Sequence, residues 1–511
     1  MGKDEAVSTA SVSVAIIGTG FAGLSAAYYL KRAGIDSVLL FEKSDAIGGV
    51  WRDNSYPGAA CDIPSHLYSY SFERRYPWRS RFAKQPEILA YIRHVAAKHR
   101  LESQVRYRKE LAHGEFDEAR GVWRLLFTDG SRFEAQVLVS AVGQLHRPAC
   151  PRIDGIERFG GRVFHSAQWD HGYDFHGKTV AVIGTGASAV QFVPEIARQV
   201  RQLHVFQRSP GWCIPKFEHE FNRFERWLLQ RLPAVYDIDR LRIFAIVEFL
   251  GKAMTERTLT ARLADAVLRT GAALLMRAQV RDPVLRRKLT PDFPVGCKRT
   301  LLSNDWLRAL ARSNVEVVTD AVAAAAETGV RTVDGRLREV DAIIYGTGFA
   351  ASDFLAPVEL QGLGGASLRE RWRDGAEAYK GVSVAGFPNL VMMYGPNTNL
   401  GGGSIIYMLE QQSRYLVEYV KLLRRANLRY ADVRDDAQRR YNEQLAQRSA
   451  GSSFEAGCHS WYLNAAGRNV NNWVGSMSEY RRKLRDFDAR DYLCMPAPRR
   501  PVVTVDASLR A

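Results

Sequence analysis

The chain has no CxxC pair and no metal-ligand spacing among its cysteines. Its six cysteines (Cys61, Cys150, Cys213, Cys297, Cys458, Cys494) lie 36 to 161 residues apart, which excludes the common zinc motifs and a paired redox thiol. Such use suits a reducing cytosol with buried or idle thiols, so a cytoplasmic location is expected. No apolar run approaches the roughly 18 residues that a membrane-spanning helix needs. Met1-Gly2-Lys3-Asp4-Glu5 is acidic where a secretory signal is basic, and the following apolar stretch is broken by Gly18 and Gly20. Ala6 also breaks the myristoylation pattern. Apolar residues at 46% and charged residues at 25% exclude disorder and collagen-like repeats.

What the chain does have is positive charge, 71 Lys and Arg against 55 Asp and Glu, a net +16 over 511 residues. That excess fits nucleic acid, a membrane surface or an anionic cofactor, and composition does not choose among them. The stretch 221–312 holds 18 basic and 9 acidic residues, so +9 of the +16 lies there. Its apolar residues recur at helical spacing (Phe224, Trp227, Leu228, then Leu241, Phe244, Ala245, Phe249), which predicts a helical insertion. No nucleic-acid recognition motif accompanies it. The segment from about 480, Arg481-Arg482-Lys483-Leu484-Arg485-Asp486, reads as a charged tail ending in a Pro-rich, extended piece.

Two glycine turns decide the reading. Residues 12–17 run as a β-branched strand into Gly18-Thr19-Gly20-Phe21-Ala22-Gly23, followed by a helical pattern from Leu24 and a second strand ending at Glu42. The same unit recurs from Thr179, with Gly184-Thr185-Gly186-Ala187-Ser188-Ala189, and ends at Arg208. Strand, glycine turn, helix and strand within about thirty residues is the dinucleotide-binding context. Gly18 makes the tight turn, Gly20 lets a pyrophosphate approach and Gly23 lets helix and sheet close together. Glu42, 19 positions after Gly23, suits ribose hydroxyls. Arg208, 19 positions after Ala189, suits a 2′-phosphate that a carboxylate would repel. The first unit therefore predicts FAD and the second NADPH in preference to NADH. Ser188 and Gln191, at the start of the second helix, are candidates for the NADP pyrophosphate. The strands 137–143 and 342–349 mark two crossings between the units, so the NADPH unit is inserted in the FAD unit.

At this point the sequence resembles the class B flavin monooxygenases, specifically the type I Baeyer–Villiger monooxygenases. The segment Phe159 to Asp170, with Gly161, His165 and Trp169, fits that family's FxGxxxHxxxW fingerprint followed by Pro or Asp. Gly48-Gly49-Val50-Trp51, Tyr56-Pro57-Gly58 and Asp62 fit its second signature, and Cys297-Lys298-Arg299 resembles its Lys-Arg pair. Matching segments run from about 12 to 485. The chain departs from the pattern at Ala189, at Arg52-Asp53-Asn54-Ser55 where aromatic residues are usual, and after Ser460-Trp461-Tyr462.

The resemblance implies an α/β fold of two Rossmann-like domains: FAD-binding 1–148 and 344–511, NADPH-binding 149–220 and 296–343, with the helical insertion at 221–295. It implies that NADPH reduces FAD and that oxygen then gives a flavin peroxide. This inserts one oxygen atom beside a ketone carbonyl to yield an ester or lactone. Arg299 would be the fixed cation for the anions of that path, and Asp62 would hold its guanidinium. Lys298 would reach the NADP phosphate beside Arg208. Lys43, Gly49, Val50, Trp51 and Tyr56 would lie along the FAD region, Trp461 on a loop closing over NADP, and His165 with Trp169 in a linker that influences domain movement.

The remaining partners are a small ketone and molecular oxygen, with peripheral membrane contact through 221–290 left open and either a monomer or a homodimer. The alternatives are an N- or S-oxygenating flavin monooxygenase, or a peripheral membrane-associated NADPH oxidase. A flavin disulfide reductase lacks its cysteine pair, since Cys61 has no partner within four residues.

Overall fold

The computed structural model describes residues 10–458 and 460–498, so the acidic N-terminus and the last part of the Pro-rich tail lie outside the described residues. Two parallel-centred sheets organise the chain. The first is ordered Glu359–Gln361, Leu111–Asp117, Val122–Phe127, Arg132–Ser140, Ala10–Ile17, Val38–Phe41, Val105–Arg106, with Leu390–Met392 adding to Arg132–Ser140. The second is all parallel, ordered Val315–Val318, Gln202–Phe206, Thr179–Ile183, Ala342–Tyr345, Arg162–His165. The first sheet thus takes its strands from both sides of the second in sequence, which makes the NADPH-type unit an insertion in the FAD-type unit.

The crossings run side by side and antiparallel. Pro148 bridges Phe349, the Ala149 amide donates to Gly348, and the Ala350 amide donates to Arg147. These bridged segments tie the two crossings together by backbone hydrogen bonds where a hinge between the units would lie.

Both glycine turns have the local geometry that their residues require. Gly18 sits at φ +108°, where a side chain is strained, and a Cβ there would lie 2.6 Å from the Ala141 carbonyl oxygen. In the second unit the third glycine is replaced by Ala189, whose buried methyl faces Gly346 across the strand. A Cβ on Gly346 would lie 3.1 Å from it, so the missing glycine is compensated on the neighbouring strand. Helices α1 (Phe21–Arg32) and α2 (Ala187–Ile196) follow the turns, each with a glycine N-cap and no side-chain cap. Their first N–H groups are therefore left for a ligand.

The insertion is helical, as α3 (Arg223–Arg231), α4 (Pro233–Thr255), α5 (Leu259–Gln279) and α6 (Pro283–Leu289). Its burial differs from the spacing argument. Tyr236, Ile243 and Met254 face inward from α4, whereas Phe224, Trp227 and Leu241 are exposed. Met254 packs against Gly401 and Phe454 of the FAD-type unit, and Asp239 accepts from His66 Nδ1 at 2.7 Å. Helix α7 (Ile405–Arg425) covers α1, with Ser25 Oγ 2.7 Å from Ser413 Oγ.

The charged tail is not extended at its start. Residues Met477–Arg485 form helix α8, capped by Ser476, with Met477, Tyr480 and Leu484 buried on one face. The basic run is the solvated side of an amphipathic helix, which composition alone cannot distinguish from a tail. Tyr492–Pro496 then pairs antiparallel with Leu428–Val433. Among the described residues no helix is long and apolar enough to cross a membrane.

Candidate active site between the two nucleotide units

A cavity of about 1120 Å³ opens between the sheets, and both glycine turns line it. On the first turn Gly18 and Gly20 face it, and Gly49, at φ +54°, stands opposite Gly20 so closely that a Cβ would lie 3.0 Å from the Gly20 Cα. Gly23 does not line the cavity. It packs α1 onto its strand, since a Cβ there would meet the Gly18 carbonyl at 2.0 Å.

Glu42 is buried at the strand end. Its Oε2 accepts from the Thr19 amide at 3.2 Å and hydroxyl at 2.5 Å, and its Oε1 accepts from the Ser44 amide and from Arg52 Nη1. A ribose here would share the carboxylate with Thr19 and Arg52. The departure at Arg52 thus has a structural use, as a clamp on Glu42. Lys43 is exposed at the same rim, and Val50 begins a short helix, Val50–Asp53. Trp51 lines the cavity and donates from Nε1 to the Tyr68 hydroxyl at 3.0 Å.

Two cavity residues escaped the sequence reading. Gln144 donates from Nε2 to the Tyr394 carbonyl at 2.9 Å, while its buried Oε1 has no partner. His146 has a buried, unpartnered Nδ1 and is pushed down to about 4 by burial, with Lys43 and Arg147 adding to the effect. Orphaned polar atoms facing a cavity suit a ligand that supplies hydrogen-bond partners. Neither residue sits in a spacing motif, so no sequence signal marks them.

On the second unit, Gly184, Gly186 and Ser188 line the cavity at the uncapped start of α2. Gln191 lines the cavity beside them and also reaches the first unit. Its Oε1 accepts from the Tyr56 hydroxyl at 3.0 Å and the Ala60 amide, and its Nε2 donates to the Ala60 carbonyl at 2.9 Å. The amide thus joins the two units, and its second Nε2 N–H has no partner among the described residues. Tyr56 lines the cavity as well. It packs edge-on against Phe192 of the second unit, 6.1 Å between rings.

Lys298 and Arg299 are neighbours that face different partners. Lys298 Nζ hydrogen-bonds Ser209 Oγ and lies 5.0 Å over the Phe293 ring. Burial lowers its pKa, and nearby Arg208 lowers it further. Holding two cations together in this way suits an anion. Arg299 Nη2 donates to both oxygens of Asp62, at 2.8 and 2.6 Å. Asp62 keeps the guanidinium firmly charged against the cost of burial. Two phenols face the pair: burial raises the pKa of Tyr394, and pushes that of Tyr462 up to about 12.

Trp461 reaches the cavity from the C-terminal loop and stacks edge-on to Tyr462 at 4.6 Å. That loop is tied to the Arg299 segment by a disulfide, Cys297–Cys458. This corrects the expectation of idle thiols: the two are 161 residues apart and meet only because the loop folds back over the cavity. Cys61 and Cys213 are free and buried, Cys150 and Cys494 free and exposed.

His165 and Trp169 do not line the cavity. Burial lowers the pKa of His165, which lies edge-on to Phe349 at the return crossing, 5.8 Å between rings. Trp169 belongs to the core of the second unit, against Phe164, Phe175 and Phe192.

A family model described as flavin-binding monooxygenase-like matches residues 11–449. The chain belongs to that family. Within it the chain is 44% identical over 95% of its length to a Baeyer–Villiger monooxygenase of Pseudomonas aeruginosa, covering 92% of that protein. It is 41% identical to one of Streptomyces coelicolor, over 95% of this chain and 93% of that one. Among solved structures, an oxidized steroid monooxygenase bound to NADP superposes with TM-score 0.85 at 29% identity, over 95% of this chain and all of that one. A closed cyclohexanone monooxygenase superposes with TM-score 0.85 at 26% identity, over 96% of this chain and all of that one. These relatives place the flavin monooxygenase within its Baeyer–Villiger branch.

Proposed function

We propose that this flavin monooxygenase uses FAD, NADPH and molecular oxygen to insert one oxygen atom beside a ketone carbonyl, giving an ester or lactone. The observation that carries the reading is the Arg299–Asp62 pair, set in one cavity with two uncapped dinucleotide turns. When bound, FAD and NADPH supply the electrons and the oxygen activation.

The residues of the chain do the rest. The N–H groups at the start of α1 and α2 bind pyrophosphates. Glu42 orients a ribose, and Arg208 with Lys298 selects the 2′-phosphate. Lys43, Gly49, Val50 and Trp51 would border the flavin, and the unpartnered Gln144 Oε1 would be free to accept a hydrogen bond from it. Asp62 occupies one nitrogen of Arg299, so Nε and Nη1 remain to stabilise negative charge that develops on the oxygenated substrate. Trp461 excludes water from the cavity mouth. Tyr56 and Gln191 act as a strut between the units, and His165 senses the hinge beside Phe349 while Trp169 anchors its segment.

The domain division follows the crossings, with 1–148 and 344–511 around FAD, 149–220 and 296–343 around NADPH, and 221–295 as the insertion. A cytoplasmic location remains part of the proposal. Cys297–Cys458 is the feature least typical of it.

The test is turnover of a ketone panel under isotopically labelled O2 with NADPH. Ester or lactone carrying one labelled oxygen supports the reading. NADPH consumption yielding only hydrogen peroxide across the panel, or ester without label, contradicts it.

A further inference from the structure

The insertion carries a face that the oxygenase reading does not use. Of the seventeen large apolar side chains exposed among the described residues, eleven lie in the 67 residues from 223 to 289. On α5, Leu259, Leu263, Val267 and Leu274 recur at helical spacing and are all at least half exposed. The opposite side of the same helix is also apolar, with Ala261, Ala264, Leu268 and Ala272 buried. Helix α5 thus carries apolar residues on two opposite faces, with Arg262, Asp265 and Arg269 between them, and the protein covers only one of the two. Helix α4, packed alongside α5, repeats the arrangement: Tyr236, Ile243 and Met254 point inward and Ile238, Leu241 and Ile246 outward. On α3, Phe224 and Trp227 stack on each other in solvent, 5.9 Å between rings.

The charges of the insertion say what the cover is. Residues 223–289 hold 14 Lys and Arg against 7 Asp and Glu. Most of the acids are already engaged: Asp237 with Arg74, Asp239 with His66 and Arg242, Asp265 with Arg269, Glu225 with His219. Exposed Arg231, Arg262 and Arg277 form no ion pair among the described residues. The outward surface is therefore an apolar stripe flanked by free arginines, with an aromatic pair at one end.

We propose that this face docks on an anionic lipid bilayer surface, the stripe entering the headgroup–acyl boundary and the arginines meeting lipid phosphates. A nucleic acid would leave the leucines uncovered. A second copy would bring the unpaired arginines against one another. The inference deepens the partner side of the oxygenase reading but is independent of the chemistry at Arg299.

The experiment is sedimentation of the full-length FAD-loaded enzyme with vesicles of phosphatidylcholine alone and of phosphatidylcholine with phosphatidylglycerol, at low and high salt. Three proteins are compared: wild type, Leu259→Ser/Leu263→Ser and Arg262→Glu/Arg277→Glu. The two variants work by different means, and NADPH oxidation, a reaction none of these residues touch, confirms that each remains folded. The expected result is wild-type binding to the anionic vesicles, weakened by salt, with affinity reduced about tenfold or more in each double variant. Absence of binding to anionic vesicles at low salt overturns the proposal. So does equal binding by wild type and both variants. So does a wild-type dimer in light scattering that the leucine variant converts to monomer, which would make the face a contact between copies.

Discussion

Arg299 meets Asp62 through a single nitrogen. Nη2 lies 2.8 and 2.6 Å from the two carboxylate oxygens, and Nε and Nη1 make no hydrogen bond among the described residues. A guanidinium has five N–H donors. Asp62 therefore fixes the group and leaves three donors without a partner among the described residues.

That geometry predicts an unequal pair of variants. Arg299→Lys keeps a charge but not the fork, and should lose about 10²–10³-fold in ester formation. Asp62→Asn keeps a hydrogen-bond acceptor and should lose less. Combined, the two should cost far less than the sum of their separate effects, because Asp62 acts through Arg299. Initial rates of ester formation for the three variants check this, and additive losses would separate the residues.

Arg208 and Lys298 should set the coenzyme preference. Arg208→Ala is expected to raise the KM for NADPH about 10–100-fold and leave that for NADH nearly unchanged. The pH dependence has a definite sign. Burial and Arg208 lower the Lys298 pKa, and an ammonium is charged below its pKa. NADPH binding should be strongest at low pH and weaken on the alkaline side before an ordinary lysine would titrate. A Lys298→Arg enzyme should lose that weakening. KM measured across the alkaline range decides the point.

The disulfide predicts a thiol count and a kinetic effect. Titration of the native enzyme should find Cys150 and Cys494 alone reactive, with six thiols after reduction and unfolding. Cys458→Ser, or mild reduction, should free the Trp461 loop, raise the KM for NADPH severalfold and increase hydrogen peroxide release per NADPH. Unfolding without reduction should expose four thiols, and six there would rule the tether out.

Away from the site, Asp432 is buried and its pKa is pushed up to about 7, despite accepting from the Gly386 amide at 2.9 Å. Its unfolded value is about 3.9. Between the two the folded state holds a proton that the unfolded chain has released, so this group makes stability fall as pH rises from about 4 to about 7. Asp432→Asn should remove that fall. Tm recorded across the window in both proteins tests it.

The parts of the fold legible in the sequence were those set by local spacing. The glycine turns, the strand-end Glu42 and Arg208 and the helical insertion follow from short-range geometry that any dinucleotide unit must satisfy. Asp62 and Arg299 are 237 residues apart, and only the resemblance to a known family joined them before the structure did. Gln191 and Tyr56 hydrogen-bond each other across the domain junction, a contact that no spacing encodes. Cys297 and Cys458 meet for a tertiary reason too. Helical periodicity in α3 to α5 identified helices but could not tell an inward apolar face from an outward one, since both repeat at the same spacing.

Arg299 is tested most directly by Arg299→Ala assayed for three products at once: ester from a ketone that the wild type converts, sulfoxide from a sulfide, and hydrogen peroxide. Ester should fall below detection, sulfoxide should persist, and NADPH consumed with ketone should appear as peroxide. Ester formation at the wild-type rate in that variant would contradict the role given to Arg299.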